Sequence, residues 1–209
     1  MKAIIQRVTK ATVTVGGEEI SSIGRGLCVL LGISVEDTQK DADYLVRKIL
    51  NLRLFEDENG RAWSKSVMDR DFEVLCVSQF TLQCILKANK PDFHSAMPAE
   101  LAQPFYNSIL ENMRSTYKPE LIKDGKFGAY MQVHIQNDGP VTIELMSPTV
   151  QAGEAAAEER EDALQGPLGV EQGKTRFTFP TGPQRQQWSR RGCVIREGDL
   201  GQQDVKPGT

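Results

Sequence analysis

Only two histidines, His94 and His134, are available in the 209-residue chain to act as a general base. His134 falls in an alternating, strand-like run and His94 follows a Pro-Asp-Phe loop, so each is read as structural. Neither Gly-x-Ser-x-Gly nor Gly-x-x-x-x-Gly-Lys-Ser/Thr occurs, which removes the strained serine nucleophile and the phosphate-cradling loop. The acidic residues show no metal-ligand spacing and the four cysteines form no Cys-x-x-Cys pair, so no metal and no cofactor is expected. What remains is backbone chemistry. Ser78-Gln79-Phe80-Thr81-Leu82 closes an apolar run, and a strand ending there can turn several N–H groups towards a pocket. One preorganised oxyanion donor is worth about 3 to 4 kcal/mol, enough to matter for an activated ester. Taken alone, the five residues are also an ordinary strand end with polar caps.

A second stretch, Asn137-Asp138-Gly139-Pro140-Val141-Thr142, lies between two strand-like runs and reads as a hairpin turn. Only about 5 to 6% of X–Pro bonds are cis, so periodicity does not fix this one. A cis bond would hold two successive carbonyls in parallel, a rigid wall readable by an ammonium group and closed to bulky substituents. A trans bond would remove that basis for strict selection.

The elements that must position these stretches can be read around them. Residues 3–8 and 11–15 alternate and are rich in β-branched side chains, and Gly16-Gly17 marks a tight turn before a strand over 18–23. Residues 26–33 are apolar throughout, as a strand buried on both faces must be. Asp37 or Thr38 can cap a helix whose inner face carries Leu45, Val46, Ile49 and Leu50. A short strand near 52–55, a turn at Glu58-Asn59-Gly60, and an apolar strand over 72–80 follow. Residues 87–98 read as a loop. Pro98 suits the first turn of a second helix with Phe105, Ile109, Leu110 and Met113 inward and an end near Tyr117. Lys123 to Lys126 read as a turn, 127–135 as a strand, and 141–145 as its hairpin partner across Gly139-Pro140. The fold class is α/β.

Composition sets the limits. Residues 1–148 carry 17 basic and 19 acidic residues, and residues 149–209 eight and nine, so no bulk positive field exists to hold a polynucleotide. Nucleic-acid contact would need a local patch. Cys28, Cys76 and Cys84 sit in or beside apolar runs and Cys193 stands alone, which suits a reducing compartment. With neither a signal-peptide core nor a membrane-length apolar run, the chain is expected to be cytoplasmic, with nuclear access left open. After Pro148 the periodicity stops: nine of the 18 glycines fall in residues 149–209, which read as a disordered tail beside a domain over 1–148.

The two stretches, with the opening Met1-Lys2-Ala3-Ile4-Ile5-Gln6-Arg7-Val8 and Phe127-Gly128-Ala129, resemble the D-aminoacyl-tRNA deacylases, with the animal cytosolic branch nearest. The resemblance covers residues 1 to about 148 and says nothing of the residues beyond, whose origin it leaves open. It implies a compact β-barrel-like mixed sheet with two flanking helices, assembled as a homodimer. It also implies a cis Gly139-Pro140 bond inserted into the partner's pocket, where its carbonyls fix the α-amino group and leave room only for hydrogen where an L side chain would project. D-Aminoacyl-tRNA and glycyl-tRNA would then be the substrates. Ser78, Gln79, Phe80 and Thr81 would form the catalytic wall, and Arg7 would brace the Gly-Pro loop. No base is visible beside Thr81, so the 2′-hydroxyl of the terminal adenosine is ranked ahead of it as the activating group. Lys87 and Lys90, with Lys123 and Lys126, could neutralise tRNA phosphates. The competing reading is a nucleic-acid-associated dimeric scaffold acting through core and tail; a third is hydrolysis of another activated ester.

Overall fold

The computed structural model describes residues 1–148, so the expectation of a disordered tail lies outside the described residues. Strand β1 (Lys2–Val15) passes through Gly16 and Gly17, both at positive φ, into β2 (Glu18–Ile23). The two opening runs are one strand rather than two. Its register against the last strand slips between Val8 and Lys10, and a bulge of this kind changes which face a side chain takes. Accordingly Ala3 and Ile5 join the core beneath the helices, whereas Val8, Ala11 and Val13 join a second cluster on the opposite face.

Strand β3 (Gly26–Gly32) pairs antiparallel with β1 and parallel with β4 (Glu73–Ser78), which pairs parallel with β7 (Ile122–Asp124). The order is β2-β1-β3-β4-β7, with β8 (Gln132–Met146) on β1's other side. The end strands meet, since β2 also approaches β4 and β7, and the sheet is nearly closed into a barrel. The apolar run of β3 has the cause its sequence suggested: Leu27, Val29 and Leu31 face the helices, while Cys28 and Leu30 face the second cluster.

Two helices cover the first core. Helix α1 (Gln39–Asn51) begins after Thr38, whose N–H donates to the Asp41 carboxylate at 2.9 Å, and buries Ala42, Leu45, Val46, Ile49 and Leu50. Helix α2 (Ala99–Thr116) starts after Pro98 and buries Ala102, Tyr106, Ile109, Leu110 and Met113. Tyr106, not Phe105, takes the fully buried position. Its hydroxyl donates to the Cys76 carbonyl at 2.9 Å, which satisfies the one polar atom the ring brings inside.

Three connections differ from expectation. Residues 87–98 are not plain loop, because Ile85–Lys87 (β5) and Lys90–Asp92 (β6) form a short hairpin. Lys123 lies in β7 rather than in a turn, and the strand expected near 52–55 is reduced to a single bridge between Phe55 and Lys65. Strand β8 starts only at Gln132, and its two halves do not pair with each other. Both pair with β1.

Candidate active site

The parallel ladder of β3 and β4 ends at Leu31 opposite Ser78, and the Gln79 N–H makes a last bond to the Leu31 carbonyl at 2.7 Å. The chain then leaves strand geometry for a 3-10 turn, Phe80–Gln83, where the sequence reading carried the strand through Phe80. Gly32 permits the close approach. A Cβ there would lie 2.7 Å from Leu82 Cβ and 3.0 Å from the Gln79 carbonyl oxygen. Buried Gln83 ties the turn down by donating Nε2–H to the Gly32 carbonyl at 2.8 Å.

Within this turn Leu82 N–H donates to Gln79 and Cys84 N–H to Thr81. The first amides of any helical turn have no partner inside it. Here those of Phe80 and Thr81 have no acceptor among the described hydrogen bonds. The Gln79 side chain donates to the Thr81 hydroxyl.

A cleft of about 590 Å³ opens at the C-terminal ends of β3 and β4. Ser78, Gln79 and Phe80 form one wall, Phe93 and Met97 a second, and residues 127–131 a third. Phe80 meets Phe93 edge-on at 5.2 Å between ring centroids, yet stays 59% exposed. Among the described residues, no carboxylate, histidine, lysine or cysteine lines the cleft. His94 is turned to Asp92 and His134 lies on β8 opposite Thr12, so neither histidine lies on its wall. Thr81 is exposed beside the cleft and is not part of its lining.

The Gly139-Pro140 stretch is not a hairpin turn. Arg7 pairs with Val141 and Val8 with Asn137, so Asp138, Gly139 and Pro140 are extruded as a three-residue bulge from one long strand. A turn and a bulge share the same local signature; the difference lies in β1, more than 120 residues away, which offers a ladder to both halves. Gly139 has φ 115°, and a Cβ on it would stand 3.1 Å from Arg7 Nη2. Arg7 Nη1 donates to the Leu54 carbonyl at 2.5 Å, its guanidinium lies 5.9 Å from the Trp63 ring centroid, and Nε is 3.1 Å from Asp138 Oδ2. That last contact is an ion pair without hydrogen-bond alignment, since the buried Nε has no hydrogen-bond partner. Arg7 is thus the charged side chain of β1 that meets the bulge, at Asp138 and beneath Gly139.

The peptide geometry differs from what the resemblance implied. No described peptide bond is cis, so Gly139-Pro140 is trans. Trans is favoured by about 0.5 to 1 kcal/mol at X–Pro unless the surroundings impose the alternative, and here both residues are exposed. Neither lines the cleft of its own chain.

Lys87 and Lys90 face each other across the β5–β6 hairpin, and both are exposed. Lys87 is engaged by Asp92. The hydrogen bond from Lys87, then those from the His94 backbone and ring, hold the Asp92 carboxyl well below the usual carboxylate range. Lys123 and Lys126 belong to a different part of the chain, with Lys126 directly ahead of Phe127 on the third wall. The sequence reading missed Gly32, Gln83, Asp138 and the Phe93 and Met97 wall; aromatic Phe93 within an otherwise polar loop was the available signal.

A family model described as D-Tyr-tRNA(Tyr) deacylase matches residues 4–146. The chain belongs to the D-Tyr-tRNA(Tyr) deacylase family. Within this deacylase family, D-aminoacyl-tRNA deacylase 1 of Danio rerio is 68% identical over 194 residues, spanning 93% of this chain and 91% of that protein. The Homo sapiens D-aminoacyl-tRNA deacylase 1 is 77% identical over 148 residues, 71% of each chain. The Danio rerio match must extend well past residue 148, so one relative shares sequence beyond the stretch that the resemblance covers. Among solved structures, c-Myc DNA Unwinding Element Binding Protein is 76% identical, with TM-score 0.70, covering 71% of this chain and all of that one. A probable eukaryotic D-amino acid tRNA deacylase has TM-score 0.60 at 15% identity over 69% of this chain and 97% of its own, a likeness of fold alone.

Proposed function

We propose that the chain hydrolyses the ester bond of D-aminoacyl-tRNA, and of mischarged glycyl-tRNA, releasing free amino acid and tRNA. Family membership supports the deacylase reading, and the observation that carries it to this site is the pair of unpartnered amides at Phe80 and Thr81 beside a cleft without a catalytic base. Water adds to the ester carbonyl, the carbonyl oxygen takes the negative charge, and the two N–H groups stabilise it. The vicinal 2′-hydroxyl of the substrate's terminal adenosine helps activate the water, and the 3′-oxygen leaves with a proton. Ser78 and Gln79 position the ester and support the turn.

The Gly139-Pro140 bulge is the chirality filter, delivered by the second copy of a homodimer. Its exposure and its absence from its own cleft support that arrangement. The trans bond removes the parallel-carbonyl basis for strict selection, and the proposed filter is left with the position at which Arg7 and Asp138 hold the bulge. Lys87 and Lys90 contribute phosphate contacts. The described cysteines, Cys28, Cys76 and Cys84, are all free thiols, in keeping with a cytoplasmic location.

Turnover of a D-aminoacyl-tRNA beside its L counterpart tests the reading: the D ester is expected to be hydrolysed and the L ester spared, and equal turnover of the two would defeat it. Thr81→Ala should keep deacylation within about tenfold, as an amide-based site predicts; complete loss with fold and RNA binding intact would make Thr81 the nucleophile. The 76% identity to the c-Myc DNA Unwinding Element Binding Protein favours one second reading, a nucleic-acid-associated dimeric scaffold. That reading requires no turnover of either ester.

A further inference from the structure

We propose that Arg25 is a second positioning residue for the Gly139-Pro140 bulge, acting through Asp138; the proposal rests on the filter reading above. Arg25 lies in the corner between β2 and β3, outside both signature stretches. Its Nη2 lies 3.8 Å from Asp138 Oδ2, the same oxygen that sits 3.1 Å from Arg7 Nε. One carboxylate oxygen is thus held between two guanidinium groups.

Arg25 is itself well anchored. The Nη2 donates to Glu56 Oε1 at 2.6 Å, the guanidinium stacks 5.1 Å from the Phe72 ring centroid, and the Arg25 carbonyl accepts from the Glu73 N–H at 3.2 Å. Arg70 lies over the same Phe72 ring at 5.6 Å, so the ring meets two cations. Burial pushes the Glu56 carboxyl up, but a hydrogen bond from its own backbone and the bond and charge of Arg25 outweigh it, and the carboxyl stays below its ordinary value. Glu56 is therefore ionised at neutral pH and holds Arg25 beside Asp138.

The bulge needs such a brace. Its three residues form no rung of the β1–β8 ladder, so backbone pairing fixes only its two ends. The position of its apex depends on the Asp138 side chain. Arg7 restrains that carboxylate from within the sheet and Arg25 from the neighbouring corner. Loss of Arg25 would also leave Glu56 without the cation between it and Asp138, adding repulsion where there was attraction.

The experiment compares kcat/KM for D- and L-aminoacyl-tRNA in the wild type, Arg25→Met, Arg25→Lys and Arg7→Ala, with thermal unfolding of each. Arg25→Met keeps an apolar stem over Phe72 and removes the charge. It should lower the D-over-L ratio about two- to fivefold, the range of a half-exposed ion pair, with the melting temperature nearly unchanged. Arg25→Lys should recover part of the ratio. With Asp138→Asn already present, Arg25→Met should change the ratio no further. A selective wild type with a selective Arg25→Met and an unselective Arg7→Ala would overturn this proposal and leave the filter standing. Full additivity with Asp138→Asn would also overturn it. A wild type that does not distinguish the two esters would instead defeat the filter itself.

Discussion

The turn at residues 79–83 and the bulge at 138–140 are both short departures from strand geometry, and they are held in opposite ways. The turn is fastened from inside: Gln79 caps the β3 ladder, Gln83 is buried against the Gly32 carbonyl, and the backbone packs so closely that only glycine fits at 32. The bulge is fastened from its flank, by charged side chains of intermediate exposure on one carboxylate. A site that must stabilise charge needs donors that do not move, because reorganisation would consume their advantage. A selecting element needs only a defined position, which half-exposed charges can provide. Damage to the turn should therefore appear in stability and rate together, and damage to the bulge in selectivity.

The largest effect should come from Gly32→Val. Its branched side chain would meet Leu82 and the Gln79 carbonyl, and overpacking of this kind costs about 1 to 3 kcal/mol. Denaturant unfolding should show that loss, with deacylation of the folded fraction falling as well; a fully active, stable variant would show that the turn is not fastened as described. Gln83→Leu comes next. It leaves the Gly32 carbonyl without its donor, at a cost of roughly 1 kcal/mol or more. Stability should drop more than the D-over-L ratio changes.

Arg7→Ala should reverse that pattern. A loss of about tenfold in the D-over-L ratio, equivalent to roughly 1.4 kcal/mol, is expected from substrate kinetics. Unchanged selectivity would remove the contrast between the two regions. The smallest effect concerns the hairpin. A carboxylate with a depressed folded pKa contributes stability that is complete above its ordinary value of 3.8 and is lost as pH falls through the folded one. The Asp92 side chain, followed by NMR, should accordingly titrate below 3.8; a midpoint at or above that value would show that Lys87 and His94 do not hold it.

Much of the scaffold could be read from local pattern. The apolar run of β3 and the inner face of α1 follow from burial on two faces and on one, and burial is written into residue type. Of the two stretches singled out in the sequence, Ser78 to Phe80 line the cleft, whereas Gly139 and Pro140 do not. The shapes of the two stretches were not legible. Whether residues 132–137 pair with 141–146 or both pair with β1 depends on a ladder contributed from the start of the chain, and alternation is identical in the two cases. The 3-10 turn likewise depends on Gly32 and Gln83, which meet only after β3 and β4 have aligned. Arg25 carried no signal at all, since a lone arginine in a corner has no pattern to match.

The three-residue bulge also has a consequence for how this chain can change. Arg7 already stands opposite Val141 and Val8 opposite Asn137, so excising residues 138–140 would join two halves that are in register. A protrusion inserted this way leaves the ladder on either side unbroken, so its length and residue types can vary without shifting the pairing of the barrel.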